Sequence, residues 1–318
     1  MAKQAKGMKS ITNLTFEKTY GQMPSDGTWY QQPINKNALT GKQSLIQSNT
    51  ITGRRDMTEP GIGQMDASGQ LELPLDVRNI GNILKGLFGA PNTTAGTKEG
   101  TYKHVFKVAD EIPSLTIEKG FPDIGLFFTY TGTKFNKFSL TAQVGNNETT
   151  YTVDTMASNE TEAKKTAATA PTALKLTRFN NVNASVKEGG TALATCRKMQ
   201  LDINNNLDGD TYCLNGSSIR PSINEGMSEI TGNIETLFED DAQLQKAMNS
   251  TETSLELEFT RDDFSLTFSI PEVILERATP GISGPKGITQ TLNYRGYYAD
   301  DKGNSIITVT LINDVATY

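Results

Sequence analysis

Ser68-Gly-Gln-Leu-Glu-Leu-Pro-Leu75 and Thr231-Gly-Asn-Ile-Glu-Thr-Leu-Phe238 share one pattern: hydroxyl, Gly, amide, aliphatic, Glu, then a further apolar residue. The residues after each copy are also alike. After Asp76, residues Ile80, Ile83, Leu84, Leu87 and Phe88 fall at helical spacing, and Gly89 with Pro91 ends the run. After the acidic Glu239-Asp-Asp, residues Leu244, Ala247 and Met248 repeat that spacing, with the acids where a helix N-terminus favours negative charge. Further on stand Ser114-Leu-Thr-Ile-Glu and Ser254-Leu-Glu-Leu-Glu. Strand, helix and strand recur in the same order, the leading copies about 160 residues apart. Two such matches in register point to a duplicated unit.

Outside the two helices, strand patterns dominate. Leu71-Glu-Leu, Leu115-Thr-Ile-Glu, Met199-Gln-Leu-Asp-Ile, Leu255-Glu-Leu-Glu-Phe, Phe264-Ser-Leu-Thr-Phe-Ser-Ile and Ile307-Thr-Val-Thr-Leu alternate apolar and polar residues as half-buried strands do. Turns rich in Gly, Asn and Asp, such as Asp208-Gly-Asp and Asp301-Lys-Gly-Asn, separate them. The expected fold is mainly β: two tandem β-sandwich or barrel-like domains, each with one short flanking α-helix and its own core. The stretch from Ala157 to Pro171 is rich in Ala and Thr, lacks large apolar residues and reads as a linker. The expected division is therefore 1–170 and 171–318.

The 318 residues carry a net charge of -6, with Lys and Arg scattered rather than gathered into a stripe. Tight nucleic-acid binding needs such a stripe to displace counterions from phosphate, so it is disfavoured. The opening lysines have no apolar stretch behind them, and no later segment is long and apolar enough to span a bilayer, so neither export nor a membrane is expected. Cys196 and Cys213 are too few for a disulfide framework and read as two small buried apolar side chains, although one turn brings them within reach of each other.

Groupings that carry chemistry are missing. His104 is the single histidine and sits in a strand pattern with Tyr102 and Phe106, without the partners that general-base catalysis requires. Asn204, Asn206, Asp208 and Gly209 resemble the front of a calcium loop, but Asn215 stands where a bidentate Glu belongs, and a hairpin turn is the simpler reading. Glu59-Pro-Gly-Ile-Gly leads into a strand, and Gly281-Ile-Ser-Gly-Pro-Lys-Gly comes after one, so neither opens a helix as a phosphate loop must. No catalytic residue, metal or cofactor is expected, and the chain reads as a non-enzyme. Trp29 and Tyr30 lie in a polar segment, where exposed aromatics anchor partners; folding back onto their own domain is the equal alternative. Arg54 and Arg55 stand beside Asp56 and Glu59 and suit ion pairs at an interface better than phosphate contacts.

The ordered set of words carries a resemblance. Ser68-Gly-Gln-Leu-Glu, Pro113-Ser-Leu-Thr-Ile-Glu-Lys-Gly-Phe and Tyr130-Thr-Gly-Thr-Lys-Phe-Asn-Lys-Phe-Ser-Leu resemble tail tube proteins of phages with long non-contractile tails. Glu188-Gly-Gly-Thr-Ala-Leu, Met227-Ser-Glu-Ile-Thr-Gly-Asn-Ile-Glu and Glu239-Asp-Asp-Ala-Gln-Leu resemble a second tube domain of that family. The resemblance implies a virion tail component assembled in the host cytoplasm, in which subunits join inner sheets into rings that stack as a hollow cylinder. A two-domain subunit implies a homotrimer with a pseudo-six-fold ring. Implied partners are further copies, the tape measure, terminator and baseplate proteins, and DNA as passing cargo in an acidic bore. Rivals are another β-rich virion protein (a terminator, baseplate ring or decoration protein) and a carbohydrate-binding module. Residues 54–63 and 219–226 precede the two repeated strands and are the candidate stacking loops, with Arg54, Arg55, Met57, Pro60, Ile62, Ile219, Arg220, Pro221, Trp29 and Tyr30 as candidate interface residues.

Overall fold

The computed structural model describes residues 4–282, 284–298 and 305–318. The Asp301-Lys-Gly-Asn turn and Ser283 lie outside the described residues. Among the described residues, sixteen strands of at least four residues and two α-helices make a mainly β, antiparallel fold. In chain order they are β1 (Ile11–Phe16), β2 (Thr40–Ile46), β3 (Gly61–Pro74), α1 (Ile80–Phe88), β4 (Asn92–Ala95), β5 (Tyr102–Lys107), β6 (Leu115–Phe121), β7 (Leu126–Gln143) and β8 (Thr150–Ala157). Next come β9 (Asn159–Ala163), β10 (Ala184–Glu188), β11 (Cys196–Asn204), β12 (Glu229–Leu237), α2 (Ala242–Met248), β13 (Thr253–Arg261), β14 (Phe264–Leu275), β15 (Thr289–Gly296) and β16 (Thr308–Asn313).

One long sheet runs β2-β3-β8-β7-β11-β12-β15-β14. Two further sheets cover it: β1-β6-β7-β9 over the first half, and β10-β13-β14-β16-β5-β4 over the second. Strands β7 and β14 are long enough to serve both layers, pairing in a covering sheet early in their course and in the long sheet late. Period-two alternation turns Tyr151, Val153, Leu201, Ile203 and Leu292 inward and leaves Thr152, Asp154, Asp202 and Asn293 outside.

The pairings of residues 11–163 recur in residues 184–313. The hairpin β2-β3 corresponds to β11-β12, β6-β7 to β13-β14, β8 to β15, β9 to β16 and β1 to β10. The match extends to details. Lys36 stands opposite Glu72 as Lys198 stands opposite Glu235. A bulge separates Leu115 from Ile117 in one copy and Thr253 from Leu255 in the other. The two motif glycines also match: a Cβ on Gly69 would lie 2.3 Å from the carbonyl oxygen of Ala38, and one on Gly232 would lie 1.9 Å from that of Gln200. The Gly of the sequence motif is therefore a close-approach position between hairpin strands.

Both expected helices form. α1 is buried almost all round, and its start is capped by buried Asp76, whose carboxylate accepts the N–H groups of Arg78, Asn79 and Ile80 at 3.2 Å. Burial pushes the Asp76 carboxyl above the usual range, against the pull of these donors. α2 is shorter and buries only Ala247.

Two expectations need correction. Separate cores give way to one hydrophobic cluster running from Leu14 to Leu311, because seven antiparallel pairs between β7 and β11 (Lys137 to Gln143 with Asn204 to Lys198) carry the sheet across residue 170. The halves also exchange structure: β5 extends the second covering sheet by pairing with β16. The stretch Ala157 to Pro171 is not a free connector. It forms β9 on β7, Glu118 accepts the Thr166 hydroxyl at 2.8 Å, and Ala168 is buried. Small side chains suit it to a tight layer as well as to a linker, which misleads a compositional reading.

Replacing Gly232 by Ala drives a methyl group into the Gln200 carbonyl and the Tyr294 ring. The expected cost is about 1–3 kcal/mol of unfolding free energy, as for other overpacked sites, measured by urea denaturation monitored by circular dichroism.

Candidate assembly surfaces

The hairpin β2-β3 outgrows the sheet. From Lys42 onward its residues are mostly exposed, and the tip carries bare apolar side chains: Ile51 is 96% exposed, and Leu45, Ile46, Met57 and Ile62 are exposed too. Isolated exposed apolar residues are ordinary, but five on one arm make it the candidate contact surface.

The connection between β11 and β12, residues 205–228, leans against this arm. Met65 N–H donates to the Ser218 carbonyl at 2.8 Å, and the Tyr212 hydroxyl donates to the Met65 carbonyl at 2.6 Å. Arg220 lies at the centre. Its guanidinium donates to the carbonyls of Gly209 (2.8 Å) and Ala157 (3.0 Å) and to Asp66 Oδ1 (2.6 Å), and it sits 5.2 Å from the centre of the Tyr212 ring. The base of the connection is fixed by Lys134, whose ammonium donates to the Ile223 carbonyl and to Glu225, and by Asn205, whose amide donates to the carbonyls of Leu87 and Phe135. Between arm and connection lies a groove of about 700 Å³ lined by Ile46, Ile62, Gln64, Tyr212 and Ser217 among others. Both candidate loops thus end up in one projection at the same end of the long sheet.

A family model described as phage tail tube protein matches residues 9–296. The chain belongs to the phage tail tube protein family. No curated protein matches it. A tube protein is a structural component of the virion tail, so its working surfaces are those that meet other protein copies.

On the tube protein, the candidate residues divide by exposure. Arg54 is exposed and paired with Asp56 at 2.6 Å; Arg55, Met57 and Ile62 are exposed on the same arm, with Pro60 half-buried. Pro221 is exposed and Ile219 half-buried on the neighbouring connection. Arg220 is buried and holds the projection together instead of facing a partner. Trp29 is only 5% exposed, and half-buried Tyr30 packs on the main core, so the fold-back alternative replaces the exposed anchor. The Trp29 carbonyl accepts the Thr172 N–H at 2.7 Å, tying this segment to the stretch after β9. The Asn204–Asp208 stretch is the start of a long connection and not a tight hairpin turn; Asp208 accepts the N–H of Asp210, and Asn204 bonds to Asn206. Cys196 and Cys213 are both free thiols, but against expectation Cys213 is exposed, in the long connection, and Cys196 is only half-buried, its thiol pushed up to about 11 by that burial. His104 is fully buried: its Nε2–H donates to the Val315 carbonyl at 2.8 Å, Nδ1 accepts from Thr93, and burial lowers its pKa.

The missed element was Tyr212. Its aromatic ring in a Gly- and Ser-rich stretch was the available signal. Replacing Arg220 by Ala removes a charged donor serving three acceptors. The expected loss is roughly 2 kcal/mol, with faster hydrogen exchange at residues 209–222. Replacing Arg54 by Ala, at an exposed pair, is expected to change stability by less than about 0.5 kcal/mol.

Proposed function

We propose that this tube protein is a tandem duplication whose two units act as two neighbours in a ring, so that three copies close a pseudo-six-fold ring and rings stack into the tube that conducts phage DNA. The observation that carries this reading is the β7-β11 pairing. It joins two units of like topology side by side in one sheet, which is what lateral association of separate units requires. A sheet with two ends left open exposes unpaired backbone groups and invites further pairing; closure into a ring removes both ends.

The polar face of the long sheet suits a bore. It is rich in uncharged residues such as Thr152, Ser139, Thr141, Gln200, Asn233, Thr291 and Asn293. By strand alternation its acids from β3 to β15 (Asp66, Glu72, Asp154, Asp202, Glu229 and Glu235) outnumber its bases there (buried Lys134, Lys137, Lys198 and Arg295), an excess that Lys36 and Lys42 at the neighbouring edge offset. Such a face gives DNA little counterion release and so no strong hold. The projecting arm and its neighbouring connection are assigned to contacts between successive rings.

Cryo-electron microscopy of the concentrated protein tests the reading. Three copies per ring, with the long sheet facing a bore, are expected; any other stoichiometry, or a bore lined by the covering sheets, rejects it. Deleting residues 47–59 is expected to leave folded subunits and isolated rings but no long tubes, and tubes of normal length from that variant reject the stacking assignment.

A further inference from the structure

The recurrence of pairings specifies how the two ends of the long sheet meet. Strand β11 joins the first half through the side of Met199, Leu201 and Ile203 that faces β7. Its counterpart in the first half is residues 36–42, at the open end of the sheet. The correspondence comes from the matched hairpins: Lys36 opposite Glu72 answers Lys198 opposite Glu235, and Thr40 opposite Ser68 answers Asp202 opposite Thr231. The late part of β7 likewise has a counterpart. Asp154 stands opposite Lys137, and the Asn293 carbonyl accepts the N–H of Glu276 at 2.8 Å, so 137–143 answers 276–282.

We propose that residues 276–282 of one copy pair antiparallel with residues 42–36 of the next, Glu276 opposite Lys42 and Ala278 opposite Thr40, in the register of the β7-β11 junction. The inference rests on the ring reading and adds the strands and register to it.

Four observations beyond the correspondence support the fit. Glu276 N–H and the Ala278 carbonyl both turn toward β15, the latter accepting from Gln290 at 2.9 Å. Arg277 and Thr279 therefore turn their backbone groups outward, where they have no hydrogen bond among the described residues. Pro280, which has no N–H, falls at a position whose N–H faces β15 and not the neighbour, where its lack costs the joint nothing. The register sets exposed Lys42 against exposed Glu276, opposite charges on directly facing residues. A groove of about 520 Å³ runs beside Lys36 and Asn37. Gln32, 4% exposed, lines it with both amide atoms lacking a hydrogen-bond partner. Such an orphaned amide is costly until a partner arrives.

In the single chain this edge is guarded by side chains. Leu39 C=O accepts from the Tyr130 hydroxyl at 3.0 Å and from Lys119, Leu39 N–H donates to Asn37 Oδ1 at 3.1 Å, and Gly41 N–H donates to Glu160 at 2.8 Å. Pairing requires Glu160 and Asn37 to let go of the N–H groups, and one of the two donors on the Leu39 carbonyl to give way to the neighbour's N–H. Guarding of this kind restrains indiscriminate pairing without preventing the matched one.

The test is disulfide cross-linking of the full chain with Cys196 and Cys213 replaced by Ser. Thr40→Cys combined with Ala278→Cys is expected to give covalent dimers and trimers on a non-reducing gel, while either cysteine alone gives no trimer. Ser139→Cys with Asp202→Cys, the corresponding pair inside one chain, is the geometric control and is expected to close without raising the mass. Lys42→Glu or Glu276→Lys alone is expected to weaken ring formation, and the double reversal to restore it. Rings seen by electron microscopy without the Thr40–Ala278 cross-link overturn the register while leaving the ring reading in place. Absence of both rings and cross-link overturns both.

Discussion

The continuity of one hydrogen-bonded sheet across both halves is the constraint on which the other features depend. Every strand in that sheet must satisfy its neighbours' N–H and C=O groups, and only its first and last strands lack a neighbour on one side. Because β7 pairs with β11, the chain meets this requirement internally once, at residues 137–143 and 198–204. The same requirement at the two ends is met by side chains on one side, while Arg277 and Thr279 on the other have no backbone partner among the described residues. A subunit built this way is complete in its core and incomplete in its backbone pairing, which is a physical reason for it to associate laterally.

The two halves are alike in topology but not in how their cores are finished. Under residues 36–42, Lys119 and Tyr130 rise from the covering sheet to the Leu39 carbonyl, whereas the positions that answer them in the second half are apolar Leu257 and Ile270. Desolvation lowers the Lys119 pKa and raises that of Tyr130, as expected for polar groups drawn into a core. The second half, in turn, borrows the β4-β5 hairpin and fixes its own end on the first. The Tyr318 hydroxyl donates to the Arg78 carbonyl at 2.6 Å, Asn313 donates to the Val77 carbonyl at 2.8 Å, and Arg78 forms a two-pronged pair with Asp314 at 2.6 and 2.7 Å. These contacts tie the last residues of the second half to the segment just before α1 of the first.

Local signals in the chain announced much of this. Alternation located the strands, the spacing from Ile80 to Phe88 located α1, and the Gly-x-aliphatic-Glu words identified corresponding strands whose Gly is needed for close approach. What was hidden depends on distant partners. Nothing in the eighteen residues of β7 says that its early half pairs with β6 and its late half with β11. Arg220 looks like a surface arginine until Asp66, 154 positions earlier, is placed beside it. Trp29 sits among polar residues, yet it is buried, in a segment that pairs with the stretch after β9. The supposed linker was hidden for a related reason: Glu118, some 48 positions earlier, holds the Thr166 hydroxyl and the Ala167 N–H, and that pairing cannot be seen in the stretch itself.

Lateral and axial contacts place different demands on a repeating subunit. Lateral association must close after a fixed number of copies, so it benefits from backbone pairing whose register and twist are rigid. Axial association is head-to-tail and must never close, so it needs different surfaces at the two ends of the subunit. In the proposed ring, these duties fall to separate surfaces. The pairing edges lie along the flanks of the long sheet, while the apolar arm with Ile51, Met57 and Ile62 projects from one end, braced by Tyr212 and Arg220. Bracing matters because an unsupported two-stranded hairpin is at best marginally stable in water. Held against the 205–228 connection, the arm keeps its direction without a partner, and less ordering remains to oppose the axial contact proposed for it.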